Sequence, residues 1–122
     1  MTSDPIPSEH LEQVRLVSWV RKTYPQHRIF AIPNGGFRSI TTAMNLQAEG
    51  VVKGIPDLFI PSLKLFIEMK RIKGSSTSPE QKDWLEYLNQ IGYTAIVCKG
   101  FEIAKSEISL IIENNINNCL LL

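Results

Sequence analysis

The sequence predicts an α/β fold in which a small mixed β-sheet is flanked by helices. Residues 54–60 and 65–70 are two apolar runs separated by a short break, which is typical of an antiparallel hairpin. A helix signal and another apolar run follow, and this strand–helix–strand step favours a parallel neighbour through a right-handed crossover. The predicted order over the whole chain is helix, strand, helix, strand, strand, helix, strand, helix.

Length and composition indicate a single domain over residues 1–122, with residues 1–7 and 114–122 as peripheral tails. A hydrophobic fraction of 43% and a charged fraction of 20% are ordinary for a soluble globular protein. There is no apolar run long enough to cross a bilayer and no basic-then-apolar leader. Cys98 and Cys119 fit a reducing cytoplasm better than a disulfide scaffold. Because the net charge is only +1, nucleic-acid binding would require local clustering of basic residues.

The first helix is predicted from its capping signal. Ser8 can cap a helix over about residues 9–24, which ends before Pro25. Glu9 and Gln13 either border the buried face or are solvated, since the helix dipole alone favours a first-turn glutamate. The apolar positions at helical spacing are Leu16, Val17, Val20 and Tyr24, with Val14 and Trp19 widening the face.

A short strand over residues 28–32 leads into the glycine-rich segment of residues 33–36, which contains Asn34. Thr41 or Thr42 then starts a helix that ends at Gly50. The glycine-rich segment is either a plain turn or a phosphate cradle that Arg38 could reach. It is not a Walker loop, because no Gly-Lys-Ser/Thr follows.

The second half of the chain contains a well-defined helix start. Ser78 caps, Pro79 takes the first helical position and Gln81 can complete a capping box. Gln81 could equally point toward the sheet, because it continues into an apolar stripe of Trp84, Leu85 and Leu88. Gly92 ends this helix, residues 93–98 form a buried strand, and a helix over about residues 102–113 closes the domain.

The register of the hairpin brings two carboxylates together. If residues 61–64 form the loop, Ile60 pairs with Leu65 and Asp57 then lies opposite Glu68. Directly opposed residues in antiparallel strands have Cβ atoms about 4.5–5.5 Å apart. Two carboxylates that close repel each other unless a cation or a proton lies between them. The pattern therefore predicts a metal site.

The residues around this pair suit phosphodiester hydrolysis. Asp57 and Glu68 offer hard oxygen ligands for Mg²⁺ or Mn²⁺, and the backbone carbonyl of Met69 could add another. Lys70 shares the strand face of Glu68, where it could orient or deprotonate an attacking water or stabilise charge on phosphorus. A basic rim for phosphate contacts is formed by Lys53, Lys64, Arg71 and Lys73.

A purely structural interpretation is also open, in which Asp57, Glu68 and Lys70 form a salt-bridged polar face of an edge hairpin. The opposition of two carboxylates argues against it, because a structural face would avoid like charges. Other chemistries fit less well. His10 and His27 lack zinc-ligand spacing, the cysteines form no CxxC unit, and there is no Gly-x-Ser-x-Gly elbow.

From residue 9 to about residue 111 the chain resembles the PD-(D/E)xK nucleases, and within them the VRR-NUC (virus-type replication-repair nuclease) domains. The motifs that match in order and spacing are Gly54-Ile55-Pro56-Asp57-Leu58, Ile67-Glu68-Met69-Lys70 and Ser78-Pro79-Glu80-Gln81-Lys82, supported by Glu9 with Gln13 and Trp19, by residues 32–36 and by residues 92–98. The resemblance implies a restriction-endonuclease-like core, with Asp57 and Glu68 as metal ligands and Lys70 as the catalytic lysine. It also implies supporting roles for Gln81 and Glu9, and places Asn34 and Arg38 near the substrate path.

Together the residues and the resemblance predict a Mg²⁺- or Mn²⁺-dependent DNA endonuclease with a preference for branched or junction DNA. Its expected setting is phage or prophage replication or repair in a bacterial cytoplasm, as a homodimer with no membrane partner and no small-molecule cofactor. Two alternatives remain. One is a non-catalytic nucleic-acid binding module that holds phosphates through Lys53, Lys64, Arg71 and Lys73. The other is an interaction protein whose apolar tail, residues 114–122, recruits a partner.

Overall fold

The computed structural model describes residues 5–33 and 39–121, which form one mixed sheet flanked by helices. Within these ranges the helices are α1 (Glu9–Thr23), α2 (Ile40–Ala48), α3 (Pro79–Gln90) and α4 (Phe101–Leu121), and the strands are β1 (Phe30–Ala31), β2 (Leu58–Ile60), β3 (Leu65–Lys70) and β4 (Thr94–Lys99). The predicted α/β fold and the predicted order of elements are confirmed. In the part of the chain described, no helix is both long and apolar enough to span a membrane.

The sheet has the strand order β1-β2-β3-β4, with antiparallel pairing up to β3 and parallel pairing between β3 and β4. Ile60 pairs with Leu65, so the predicted hairpin register is confirmed. A short 3₁₀ turn, Pro61–Leu63, closes the hairpin, and Lys64 completes it in the left-handed region with φ 49°. As a result Asp57, one residue before β2, lies level with Glu68 on β3.

The hydrophobic core lies between one face of the sheet and helices α1 and α4. Alternation along β3 sends Leu65, Ile67 and Met69 into this core, while Phe66, Glu68 and Lys70 lie on the opposite face. The fully buried members of the core include Leu16, Val20, Leu58, Ile60, Leu65, Ile67, Met69, Ala104 and Ile108. A one-residue slip of β3 would exchange Ile67 for Glu68 at a core position, so burial fixes the register.

Helix boundaries follow local capping where a cap is present. Ser8 caps α1 and Ser78 caps α3 as predicted, each through its side-chain oxygen. The predicted start of α2 at Thr41 or Thr42 is wrong, because Ser39 caps the helix and Ile40 begins it. The predicted end of the last helix near residue 113 is also wrong. This helix continues to Leu121, since residues 102–121 contain no glycine or proline that would end it.

Three other expectations need correction. The strand expected over residues 28–32 is limited to Phe30–Ala31. The strand expected to be buried, β4, is an edge strand whose end residues Thr94 and Lys99 are exposed. Val14 was expected to widen the apolar face of α1, yet it is 49% exposed. It lies two residues before Leu16 and therefore about 200° around the helix from the buried side.

Gly54 lets the loop before Asp57 pack directly on the first turn of α3. This buried glycine has φ +93°, and a Cβ added to it would lie 2.8 Å from the backbone carbonyl carbon of Glu80. Real Cβ atoms do not approach backbone that closely. The close contact therefore helps to set the distance between the Asp57 loop and the helix that bears Gln81.

Replacing Gly54 should destabilise the protein more than replacing a glycine of similar conformation in open space. Gly74 has φ +82°, and a Cβ added there would have nothing within 4 Å, so it serves as the control. We expect Gly74→Ala to cost about 1–2 kcal/mol because of its positive φ. Gly54→Ala should cost about 1–3 kcal/mol more, because the added carbon overlaps Glu80. Urea unfolding of both variants measures the difference, and equal losses would contradict the tight packing.

Candidate metal centre

Three carboxylates from separate parts of the chain converge at the open end of the hairpin. One oxygen from each of Glu9, Asp57 and Glu68 lies within 4.8 Å of the other two. Glu9 is the first residue of α1, Asp57 directly precedes β2, and Glu68 lies on β3. The structure thus brings together two acids that the hairpin register predicts and a third that the resemblance implies.

Asp57 is held in place through both its backbone and its side chain. Its backbone carbonyl accepts a hydrogen bond of 2.7 Å from Ile32 N–H, beside β1. Its side-chain Oδ2 accepts one of 2.9 Å from Met69 N–H on β3. The carboxylate therefore has a fixed position relative to both neighbouring strands.

Glu68 is the most buried acid of the cluster, with 2% of its surface exposed. Its Oε1 accepts a hydrogen bond of 2.7 Å from Gln81 Nε2 and lies 3.4 Å from Lys70 Nζ. Its Oε2 is buried and has no hydrogen-bond partner among the described residues. A buried carboxylate oxygen without a donor is unfavourable. Because the converging groups are all hard oxygens, the site fits a divalent cation such as Mg²⁺ or Mn²⁺.

The pKa values of the cluster reflect the crowding of negative charge. The pKa of Glu68 is raised to about 7, chiefly by burial and then by the charge of Asp57, while the nearby Lys70 ammonium opposes both. Burial also raises the pKa of Glu9, again with a contribution from Asp57. In the metal-free site Glu68 therefore holds a proton at a pH where a free glutamate is ionised, and a bound cation would reverse this preference.

Gln81 joins the start of α3 to the acidic cluster. Its Oε1 accepts hydrogen bonds of 2.9 Å from Ser78 N–H and 2.9 Å from Lys70 Nζ, while its Nε2 donates to Glu68. The capping box predicted for Gln81 is present. The Gln81 side chain also contacts the sheet, which was the alternative orientation, because the same amide bonds to Ser78 N–H and to Lys70 and Glu68 on β3.

Lys70 is 7% exposed and lies between Glu68 and Gln81. A buried lysine is unfavourable unless it is paired, and here its ammonium donates a hydrogen bond to Gln81 Oε1 and forms an ion pair with Glu68. Its position on the Glu68 face of β3 is the one that strand alternation predicts.

The predicted nucleic-acid contacts that lie within the described residues are exposed basic side chains. Lys53 is exposed, lies 3.9 Å from Glu80, and lines a cavity of about 260 Å³ that also touches Gln81. Arg71 and Lys73 are exposed directly after β3. Lys64 lies at the hairpin turn, four residues and roughly 13 Å along the strand from Glu68. Asn34 and Arg38 lie outside the described residues.

Two residues of α1 differ in their relation to the site. Gln13, part of the family resemblance, is half-buried and lines a groove along the outer side of α1. Glu12, which is absent from the residues predicted for the site, is buried and accepts a hydrogen bond from Phe101 N–H at the start of α4. Helical spacing could have indicated it, because Glu12 shares a face with the buried Leu16 and Val20.

The chain is similar to nuclease-type domains in both sequence and fold. The family model of the VRR-NUC domain matches residues 4–102, which include every carboxylate of the cluster together with Lys70 and Gln81. The chain belongs to the VRR-NUC domain family, and the resemblance drawn from its motifs is confirmed. A nuclease domain implies DNA as its partner.

A solved structure described as a VRR_NUC domain protein is similar in sequence and fold. It is 27% identical, with the alignment covering 89% of this chain and 91% of that chain at a TM-score of 0.73. The comparison with curated proteins found no match. The structural similarity confirms the arrangement of a mixed sheet flanked by helices.

The raised pKa of Glu68 predicts how the stability of the metal-free protein depends on pH. Between pH 4.5 and about 7 the folded state keeps a proton that the unfolded state has lost. This contribution to the free energy of unfolding therefore falls as pH rises, by on the order of 3 kcal/mol over the whole interval. Urea unfolding in EDTA at several pH values measures it.

The control for this prediction is Glu68→Gln, which keeps an oxygen at the same position but cannot titrate. The difference in unfolding free energy between the wild type and this variant should change steadily from pH 5 to pH 7. Parallel pH profiles for the two proteins would show that Glu68 ionises normally.

Proposed function

We propose that this protein is a divalent-metal-dependent DNA endonuclease. The observation that supports this most directly is the cluster of Glu9, Asp57 and Glu68, in which the buried Oε2 of Glu68 has no donor among the described residues. Lys70 lies beside the cluster, 3.4 Å from Glu68 Oε1. Hard oxygen ligands with an adjacent cation suit phosphodiester hydrolysis.

In this proposal each side chain has a distinct task. Asp57 and Glu68 hold Mg²⁺ or Mn²⁺, with Glu9 as a supporting carboxylate and the Met69 carbonyl as a further ligand. When bound, the ion polarises the phosphate and lowers the pKa of water at the site. Lys70 orients or deprotonates the attacking water, or stabilises the charge that develops on phosphorus.

Gln81 supports this arrangement by holding Lys70 and Glu68 at the same time. Its amide N–H satisfies Glu68 Oε1 and its amide oxygen accepts from the Lys70 ammonium. The capping hydrogen bond from Ser78 N–H fixes the amide in turn. Removing a group that orients a metal ligand in this way typically changes metal affinity or activity by about 10–100-fold.

DNA would be held mainly through its phosphates. Lys53 lines a cavity that also touches Gln81, and Arg71 and Lys73 follow Lys70 directly after β3. All three are exposed and carry the positive charge for this role. Asn34 and Arg38 are proposed as additional contacts on the basis of the family resemblance. The resemblance also supports branched or junction DNA as the substrate, and phage or prophage replication or repair in the bacterial cytoplasm as the setting.

Replacing Asp57 should separate cleavage from binding. We expect Asp57→Ala to lower Mg²⁺- or Mn²⁺-dependent cleavage by more than about 100-fold, because a metal ligand should matter more than the residues that support it. Binding to the same DNA in Ca²⁺ should be largely kept, since the basic rim is unchanged. Labelled duplexes, single strands, flaps, nicked duplexes and four-way junctions serve as substrates.

The matched control is Asp83→Ala, which removes an exposed carboxylate from α3, about 200° around the helix from Gln81. This variant should cleave like the wild type. If the wild type binds DNA but cuts none of these substrates with either metal, the non-catalytic binding module becomes the better description.

We further propose that the protein is a homodimer, since one site cuts one strand and two sites are needed for a double-strand cut. Apolar side chains exposed along α4, Leu110 and Ile116 among them, are available for an interface. Light scattering should give the mass of a dimer for the full chain and of a monomer after removal of residues 114–122. Circular dichroism verifies that the shortened chain folds. A monomeric wild type would contradict the homodimer, and a shortened chain that stays dimeric would place the interface elsewhere.

A further inference from the structure

Glu12 occupies an unusual position for a charged residue. It is 3% exposed and lies one turn after Glu9 on α1. Its Oε2 accepts a hydrogen bond from Phe101 N–H, the first residue of α4, and its Oε1 lies 3.9 Å from the Arg15 guanidinium. A buried carboxylate at the start of another helix indicates a defined structural task.

The Glu12 carboxylate caps α4 in place of a side chain at position 100. Gly100 precedes α4, has φ +93° and carries no side chain that could accept from the first turn. A Cβ on Gly100 would lie 2.9 Å from Glu12 Oε2 and 2.8 Å from Ile72 Cγ1. The space of a cap side chain is therefore filled by Glu12, which satisfies a backbone N–H that would otherwise have no partner within the helix.

The same junction also fixes the end of the strand that carries the candidate catalytic lysine. Gly100 N–H donates a hydrogen bond of 3.0 Å to the backbone carbonyl of Lys70. The next backbone N–H, that of Phe101, binds Glu12. Two consecutive peptide groups thus connect the end of β3 with the first turns of α1.

We propose that Glu12 is a positioning residue for the metal centre, and that its bond to Phe101 N–H holds Glu9 next to Asp57 and Glu68. The inference rests on the proposed metal-binding role of this cluster. Leu16 and Val20, the apolar anchors of α1, lie about 10 and 16 Å along the helix axis from Glu9. Glu12 is a polar anchor much nearer to the end that carries Glu9.

A double-mutant cycle with Mn²⁺ binding as the readout tests this role. We expect Glu12→Ala to weaken Mn²⁺ binding about tenfold, as is usual for a residue that orients a ligand. In a Glu9→Ala background the same change should have no further effect, because the carboxylate that Glu12 positions is absent. Glu12→Gln keeps an oxygen acceptor and should retain more affinity than Glu12→Ala. Isothermal titration calorimetry gives each dissociation constant.

The control is Ile112→Ala, which creates a cavity under α4 but removes no contact of α1 with Phe101. It should lower stability and leave Mn²⁺ affinity unchanged. Wild-type affinity in folded Glu12→Ala, or an equal loss in the Glu9→Ala background, would overturn the proposal.

Hydrogen exchange separates failure of this inference from failure of the proposed function. If the wild type binds no Mn²⁺, the metal-centre proposal is wrong whatever Glu12 does. In that case the hydrogen-exchange rates of the backbone amides of residues 12–16 still measure how stable the first turns of α1 are. Faster exchange there in Glu12→Ala than in Ile112→Ala supports the anchoring role, and equal exchange in the two variants overturns it.

Discussion

The repulsion between Asp57 and Glu68 is the constraint on which the site depends. The apolar side chains of β2 and β3 lock the hairpin register, because a slip of one residue would turn Glu68 into the core. Core packing thereby buries Glu68 and holds it close to Asp57, and burial together with the charge of Asp57 raises the pKa of Glu68. Ionised Glu68 in this metal-free site therefore costs stability, which is a common relation between stability and function.

The neighbouring side chains relieve this repulsion only in part. Lys70 and Gln81 both contact Oε1 of Glu68, while Oε2 has no hydrogen-bond partner among the residues described. If neighbouring side chains neutralised both carboxylates, a metal ion would gain little by binding there. If no side chain contacted them, burying the two charges would be too unfavourable. Because Gln81 also caps α3, the helix start and the charge balance of the site depend on one side chain.

Local chemistry decided which parts of this structure could be predicted. The serine caps at Ser8 and Ser78 and the hairpin register follow from residues close in sequence, and these predictions are confirmed. The exposure of the ends of β4 depends on what covers the edge of the sheet, and the prediction of a buried strand was wrong. The predicted end of α4 was also wrong, because no glycine or proline ends the helix there. Two orientations of Gln81 stayed open in the sequence, because this residue belongs both to the capping box and to the apolar stripe of α3. Glu12 was missed because its partner, Phe101, is distant in sequence and offers only a backbone N–H.

The position of Glu9 shows why a third carboxylate needs an anchor of its own. The hairpin can enforce the proximity of Asp57 and Glu68, since both belong to it, but Glu9 comes from the end of a separate helix. Helix ends fray. Burial together with the charge of Asp57 raises the pKa of Glu9, so electrostatics alone would move the ionised Glu9 side chain away from Asp57. The bond between Glu12 and Phe101 N–H opposes that movement within one turn of Glu9. Gly100 makes the bond possible, because any side chain there would occupy the space of the Glu12 carboxylate.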